Sequence, residues 1–260
     1  MDCKALNIYI PKRNVTKLMN NNHKSMAFLN HISDLSKKAN NETNEMIDYY
    51  RNIALNDMTN SDIYAEICWI GYSSGFRYDI IKKFWTSIGK ELYFFDIYKV
   101  ASFIDDIDYH SHRICKNSGF NNVRKAQWCI KNAVRMIELD FEKCNYGGFK
   151  GYLLELSQKE PYELVEMAPY LLEELKLNGI GKVTIFHFLK NIGINIFKPD
   201  IHVRRILTNL GLIEKEKSSM KDIYYVMKDI SEKMDIEVVE LDTLLFSYGR
   251  EYGDEIISKI

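Results

Sequence analysis

"LNGIGKV", Leu177–Val183, sets two glycines about one isoleucine, between the apolar run "YLLEELK" and the equally apolar "VTIFHFLKNIG". Both flanks repeat their apolar residues at intervals of three and four, the period of an amphipathic helix. The stretch is therefore a turn of about four residues joining two helices. Gly179 and Gly181 permit positive φ and a close approach by another backbone. Ile180 is expected to turn inward and lock the two helices together. Unpaired main-chain N–H groups at the start of the second helix, with the helix dipole behind them, make a site for an anion such as a phosphate. The plain alternative is an αα-hairpin closed by a glycine cap.

Elsewhere the same period dominates. Ile80, Ile81, Phe84, Trp85 and Ile88 share one helix face, as do Val123, Ala126, Ile130, Val134 and Ile137. "ILTNLGLI" ends a helix with Gly211 as its cap, and "MKDIYYVMKDI" and "VVELDTLLFSYGR" supply two more. No strand-rich block with hairpin turns is present, so the expected class is all-α. Residues 1–60 are more polar, and "NNNHKSM" and "ANNETNEM" suggest loops between short helices. The expected organisation is a central helical lobe of residues 62–195, with residues 1–61 and 196–260 forming a second lobe from both chain ends.

The 260 residues carry 46% apolar and 27% charged side chains with a formal net charge of −1, which excludes a uniformly basic coat and a disordered tract. No basic start followed by an apolar stretch opens the chain, and no run of about 18 apolar residues interrupts it. A soluble, cytoplasmic monomer without a membrane partner is expected. The five cysteines (Cys3, Cys68, Cys115, Cys129, Cys144) stand singly with no CxxC pair, so neither a metal nor another cofactor is expected.

Charge is distributed unevenly. Between Lys176 and Arg205 six basic residues (Lys176, Lys182, Lys190, Lys198, Arg204, Arg205) face one acid, Asp200. A basic patch beside a phosphate-sized donor site is the footprint of a duplex binder. Asp200, in "FKPDIHVRRIL", follows Pro199 and precedes an amphipathic run, so it reads equally as a helix N-cap or as a carboxylate placed near a DNA backbone.

"LNGIGKVTIFHFL" with the Asp of "KPDIHVRRIL" 19 positions after Gly181 resembles the helix-hairpin-helix plus Gly/Pro-Asp superfamily of base-excision DNA glycosylases. "GFNNVRKAQWCIKNAV" (Gly119, Lys125, Ala126) and "LDTLLFSYGREYG" (Gly249, Arg250) are similar to two further segments of that family. The resemblance spans about residues 62–253. It implies a two-lobed helical fold with a DNA-binding cleft between the lobes and a partner in double-stranded DNA containing a damaged base; in a bacterium such an enzyme is associated with the nucleoid. Asp200 matches the catalytic aspartate; Gly179, Ile180, Gly181, Lys182 and Thr184 match the DNA-gripping hairpin. Strand-cutting members carry a lysine two positions after the second hairpin glycine, where this chain has Val183, and Lys182 then reads as a phosphate contact. Members with an iron–sulphur cluster begin its cysteines just after Gly-Arg, where this chain has Gly253.

"EICWIGYSSGFRYDII" stands where relatives carry a lesion-probing loop, and Trp69, Tyr72, Phe76 and Tyr78 are its candidate base pocket. Aromatic faces there favour a cationic, alkylated purine. The expected function is a monofunctional DNA N-glycosylase that hydrolytically removes such a base, for example 3-methyladenine. The alternatives are a bifunctional glycosylase and strand-cutting lyase for oxidised bases such as 8-oxoguanine, and a non-catalytic helix-hairpin-helix module that binds DNA.

Overall fold

A computed structural model describes residue 30, residues 41–214 and residues 218–251. "NNNHKSM", Cys3 and Gly253 lie outside the described residues. The described chain is all-α, with no strand among these residues. It divides into two compact units, Glu45–Pro199 and the paired chain ends Met1–Asn44 and Asp200–Ile260.

The central unit is built around two helices. Helix α2 (Asn60–Ser73) is apolar on nearly every side, burying Ile63, Tyr64, Ile67, Cys68, Ile70, Gly71 and Tyr72. A helix without a polar face can only sit inside a bundle. Its start is fixed by a capping box, in which the Thr59 hydroxyl accepts from the Asp62 amide and the Asp62 carboxylate accepts from the Thr59 amide. The 20-residue α6 (Val123–Glu142) packs against it, and also against α4 (Ile97–Ala101) and α5 (Ile107–Ser118). The buried face of α6 is Ala126, Cys129, Ile130, Ala133, Met136 and Leu139, rotated from the one expected, and Ile137 is exposed. Small residues at 126, 129 and 133 let α2 approach closely; the bulkier Val134 and Ile137 fall outside that contact.

Around this pair lie α3 (Tyr78–Glu91), α7 (Phe149–Ser157), α8 (Pro161–Leu175) and α9 (Thr184–Asn191). Between α3 and α4 the residues Tyr93, Phe94 and Phe95 all adopt positive φ (49°, 54°, 65°). Such a conformation costs L-residues roughly 1–2 kcal/mol each. Phe95 offsets it by stacking on Trp85 and fitting against Gly89, whose missing Cβ leaves room for the ring.

Residues 41–46, expected as a loop, begin α1 (Asn41–Asn52). Apolar Ile47 with half-buried Met46 and Tyr50 gives that segment an inner face which its asparagines obscure. Residues 45–61 group with the central unit rather than with the chain ends, because they are tied there by hydrogen bonds. Tyr50 donates to the Asn191 side chain at 3.1 Å, and Lys150 donates to the Asn56 carbonyl at 2.8 Å. The unit of chain ends contains α10 (Ile201–Asn209), α11 (Met220–Met234) and α12 (Val238–Glu251), with α12 packed on both of the others.

One carboxyl joins α2 to α9. Asn191 donates to Glu66 at 2.7 Å, and burial raises the Glu66 pKa to about 7, against the opposing pull of hydrogen bonds from Asn191 and Tyr49. In the unfolded chain that carboxyl titrates near 4.5. The folded state thus holds an extra proton between those values, so its stability falls as pH rises from about 4.5 through 7. Glu66→Gln removes this dependence: relative to the parent, the variant gains on the order of 3 kcal/mol between pH 4.5 and pH 8, as measured by denaturant unfolding across that range.

Candidate nucleic-acid interface

Asn132 and Trp128, one turn apart on α6, hold the hairpin turn. The Asn132 amide nitrogen donates to the Asn178 carbonyl at 2.9 Å, and its oxygen accepts from the Asn178 backbone N–H at 2.7 Å. One turn further along, Arg135 donates to the carbonyls of Glu174 and Leu175, the free end of α8. Its charge is balanced by Glu142 and Glu138, at 2.7 and 3.0 Å. These bonds satisfy carbonyls that a helix terminus otherwise leaves unpaired.

The two glycines do different jobs. Gly179 has φ +81°, and a Cβ there would lie 2.7 Å from the Trp128 ring, so the glycine lets the turn lie flat on the indole. Gly181 turns its amide inward: it donates to the Thr184 hydroxyl at 2.6 Å. Thr184 therefore closes the turn and does not present its own oxygen freely. The amides of Lys182, Val183 and Thr184 meet no acceptor among the described residues, and these are the outward donors at the start of α9. Ile180, expected to turn inward, is half-buried. Leu177 and Ile185, on either side of the turn, are buried more completely.

The basic run proves less of a patch than its spacing suggested. Lys176 and Lys182 are exposed, but Lys190 is 4% exposed, with its ammonium 4.2 Å from the Tyr50 ring centre. Arg204 reaches the Met220 sulphur, and Arg205 donates to the Gly249 carbonyl at 3.2 Å. A helical periodicity distributes successive cations around the helix, so several are drawn into packing.

The aromatic segment is likewise mostly packed. Tyr72 is 1% exposed, edge-on to Phe120. Trp69 lies edge-on between Tyr78 and Trp85, at 5.5 and 5.0 Å. Phe76 is the exception, 41% exposed and leaning on Phe120. The expected base pocket is thus largely an interlocked ring cluster, because the i,i+3 spacing of Trp69 and Tyr72 points both toward the returning helix α3. A cavity of about 360 Å3 in this unit is lined instead by Thr59, Asn60, Asp96, Tyr98, Asp140 and Phe149, among others, and includes none of the four.

The matched lysine, Lys125, is buried. It donates to the carbonyls of Gly71 and Ser74 at 2.5 and 2.8 Å, capping α2 and fixing the loop that carries Phe76. Burial pulls its ammonium below the ordinary lysine range, and Arg124 adds to the effect.

In the unit of chain ends Asp200 is the N-cap of α10, its Oδ1 accepting from the amides of His202 and Val203 at 2.9 and 3.2 Å. Gly249 of α12 meets this turn: a Cβ there would come within 2.9 Å of the His202 ring. The matched Gly249 is therefore what allows α12 to approach the Asp200 turn. Arg250 pairs with Glu42 at 2.8 Å.

Among solved structures the chain resembles the 8-oxoguanine DNA glycosylase of Methanocaldococcus jannaschii, with a TM-score of 0.58 and 21% identity over 88% of this chain and 96% of that one. The fold is a DNA glycosylase fold. A second structure of an 8-oxoguanine glycosylase/lyase from that organism, in complex with DNA containing 8-oxoguanine, matches with a TM-score of 0.57 and 19% identity, over 86% of this chain and 97% of that one. The 8-oxoguanine DNA glycosylase of Thermotoga maritima matches with a TM-score of 0.57 and 17% identity, over 88% and 97%. No protein-family model matches the chain, and no curated protein does.

Neither Asn132, Trp128 nor Arg135 was singled out by the sequence, although their 4- and 3-residue spacing on one face of an apolar helix is a signal of polar groups with an inward task. Asn132→Ala should leave the turn's half-buried Asn178 amide and carbonyl without their side-chain partner and cost ~1–2 kcal/mol in chemical unfolding. Gly179→Ala combines a clash with Trp128 and an unfavourable φ, and should destabilise by more than ~1 kcal/mol in the same measurement.

Proposed function

We propose that the protein is a DNA glycosylase that excises an oxidised purine, of the 8-oxoguanine type, from duplex DNA by hydrolysis. The observation carrying this reading is the hairpin: a preformed turn presenting three unpaired amides at a helix start, in a fold shared along nearly the whole chain with enzymes that act on 8-oxoguanine. The unpaired amides grip a phosphate of the DNA backbone, which must happen before a nucleotide can be turned out of the helix.

Asp200 is the proposed catalytic carboxylate. As the bond between C1′ and the base nitrogen breaks, its electron pair leaves with the base and the sugar acquires positive charge, which a fixed carboxylate stabilises. Water adds to C1′ and gives its proton to Asp200, and the departing base takes a proton from solvent. Capping does not compete with this role. Two amide donors on Oδ1 fix the carboxylate's orientation, and a fixed charge needs no reorganisation at the moment of reaction.

The choice of an oxidised over an alkylated purine rests on two points. The attraction for a cationic base depended on open aromatic faces, and Trp69 and Tyr72 are packed among neighbouring rings instead. The three structural neighbours all act on 8-oxoguanine. A second reading, a strand-cutting lyase, is favoured by the neighbour described as a glycosylase/lyase and would use the exposed Lys182. Val183, at the position matching the lyase lysine, is the residue that supports hydrolysis instead.

Incubation with a duplex bearing one 8-oxoguanine should release the base and leave the strand intact until alkaline work-up. A borohydride-trapped adduct that disappears in Lys182→Ala would replace hydrolysis with the lyase reading. Asp200→Asn should abolish base release while keeping the fold, since asparagine caps a helix as well as aspartate does. Full excision by that variant would remove Asp200 from the mechanism.

A further inference from the structure

Arg124 occupies the first turn of α6 and is exposed, with no ion pair among the described residues. Its guanidinium lies 4.9 Å from the centre of the Trp128 ring. The same indole supports Gly179, whose missing Cβ brings the hairpin backbone onto the ring. One indole thus contacts both a cation and the hairpin turn. Trp128 is itself fixed by Lys125, whose ammonium lies 5.2 Å from the ring centre and is tied to the end of α2.

The grip also needs charge from outside the hairpin. Of the six cations between residues 176 and 205, Lys190 is buried, and Arg204 and Arg205 serve contacts within their own unit. Neither α6 nor α9 has an acid in its first turn, where a carboxylate would ordinarily complement the helix dipole. An arginine stacked on an indole keeps its planar donors free at the edge while its rotamer freedom is already restricted, which suits it to a phosphate more than a free lysine.

From this geometry we infer that Arg124, carried on Trp128, is a second phosphate-binding residue, acting with the Lys182 end of the hairpin on one DNA strand. The inference rests on the duplex-binding part of the functional reading above. Neutralising one phosphate releases one counterion, so each such contact adds about one to the slope of log affinity against log salt.

Anisotropy titrations of a fluorescent undamaged duplex at several salt concentrations provide the test, with thermal melting as a check on folding. Arg124→Ala should weaken binding several-fold at low salt and reduce the slope by about one, with an unchanged melting temperature. Arg124→Lys should restore the slope, because the charge is retained. Should the parent protein bind duplex with a slope that Arg124→Ala leaves unchanged, the inference falls alone. A lysine variant that fails to restore the slope would also overturn it. If the parent shows no salt-dependent binding at all, the functional reading falls as well.

Discussion

The paired hydrogen bonds between Asn132 and the backbone of Asn178 are the contact on which the hairpin depends. A turn between two helices carries polar main-chain groups that neither helix can satisfy, and burying them against an apolar α6 would be costly. A side-chain amide, with an NH2 that donates and an oxygen that accepts, matches the main-chain pair it meets. From that match the rest follows along α6. Trp128 can lie beneath Gly179, Arg135 can close the end of α8, and the first amides of α9 are left without an acceptor among the described residues.

A similar double use appears at Asp200. Its capping bonds order α10, and Gly249 brings α12 against the turn, so the carboxylate is held by a helix terminus and a helix crossing together. Of the two readings of this residue that the sequence allows, cap and catalyst, the cap is the one seen directly. The hairpin glycines were also legible, but for a partly different reason. Gly179 is required by the indole of Trp128 beneath it, a contact between distant parts of the chain that no local pattern could express.

Much of the architecture was readable because amphipathic periods record which face is buried. The all-α class and the two glycine-bearing segments came from that signal. What periodicity does not record is which neighbour covers a face. For this reason the sequence reads Lys190 as a surface cation and Tyr72 as a pocket wall, whereas both are buried against neighbouring rings. Residues 41–46 passed for a loop on composition alone, although the helix α1 that they open has Ile47 on its inner side.

The hydroxyl of Thr184 has a kinetic meaning. Because it already accepts the Gly181 amide, the turn reaches its final shape during folding, and the conformational entropy of ordering it is lost before any ligand arrives. A ligand then meets a turn that is already ordered, with three amides that have no acceptor among the described residues. For the glycosylase proposed above, collisions in the right orientation would then proceed without waiting for a loop to rearrange, an advantage for an enzyme that has to sample long stretches of undamaged duplex.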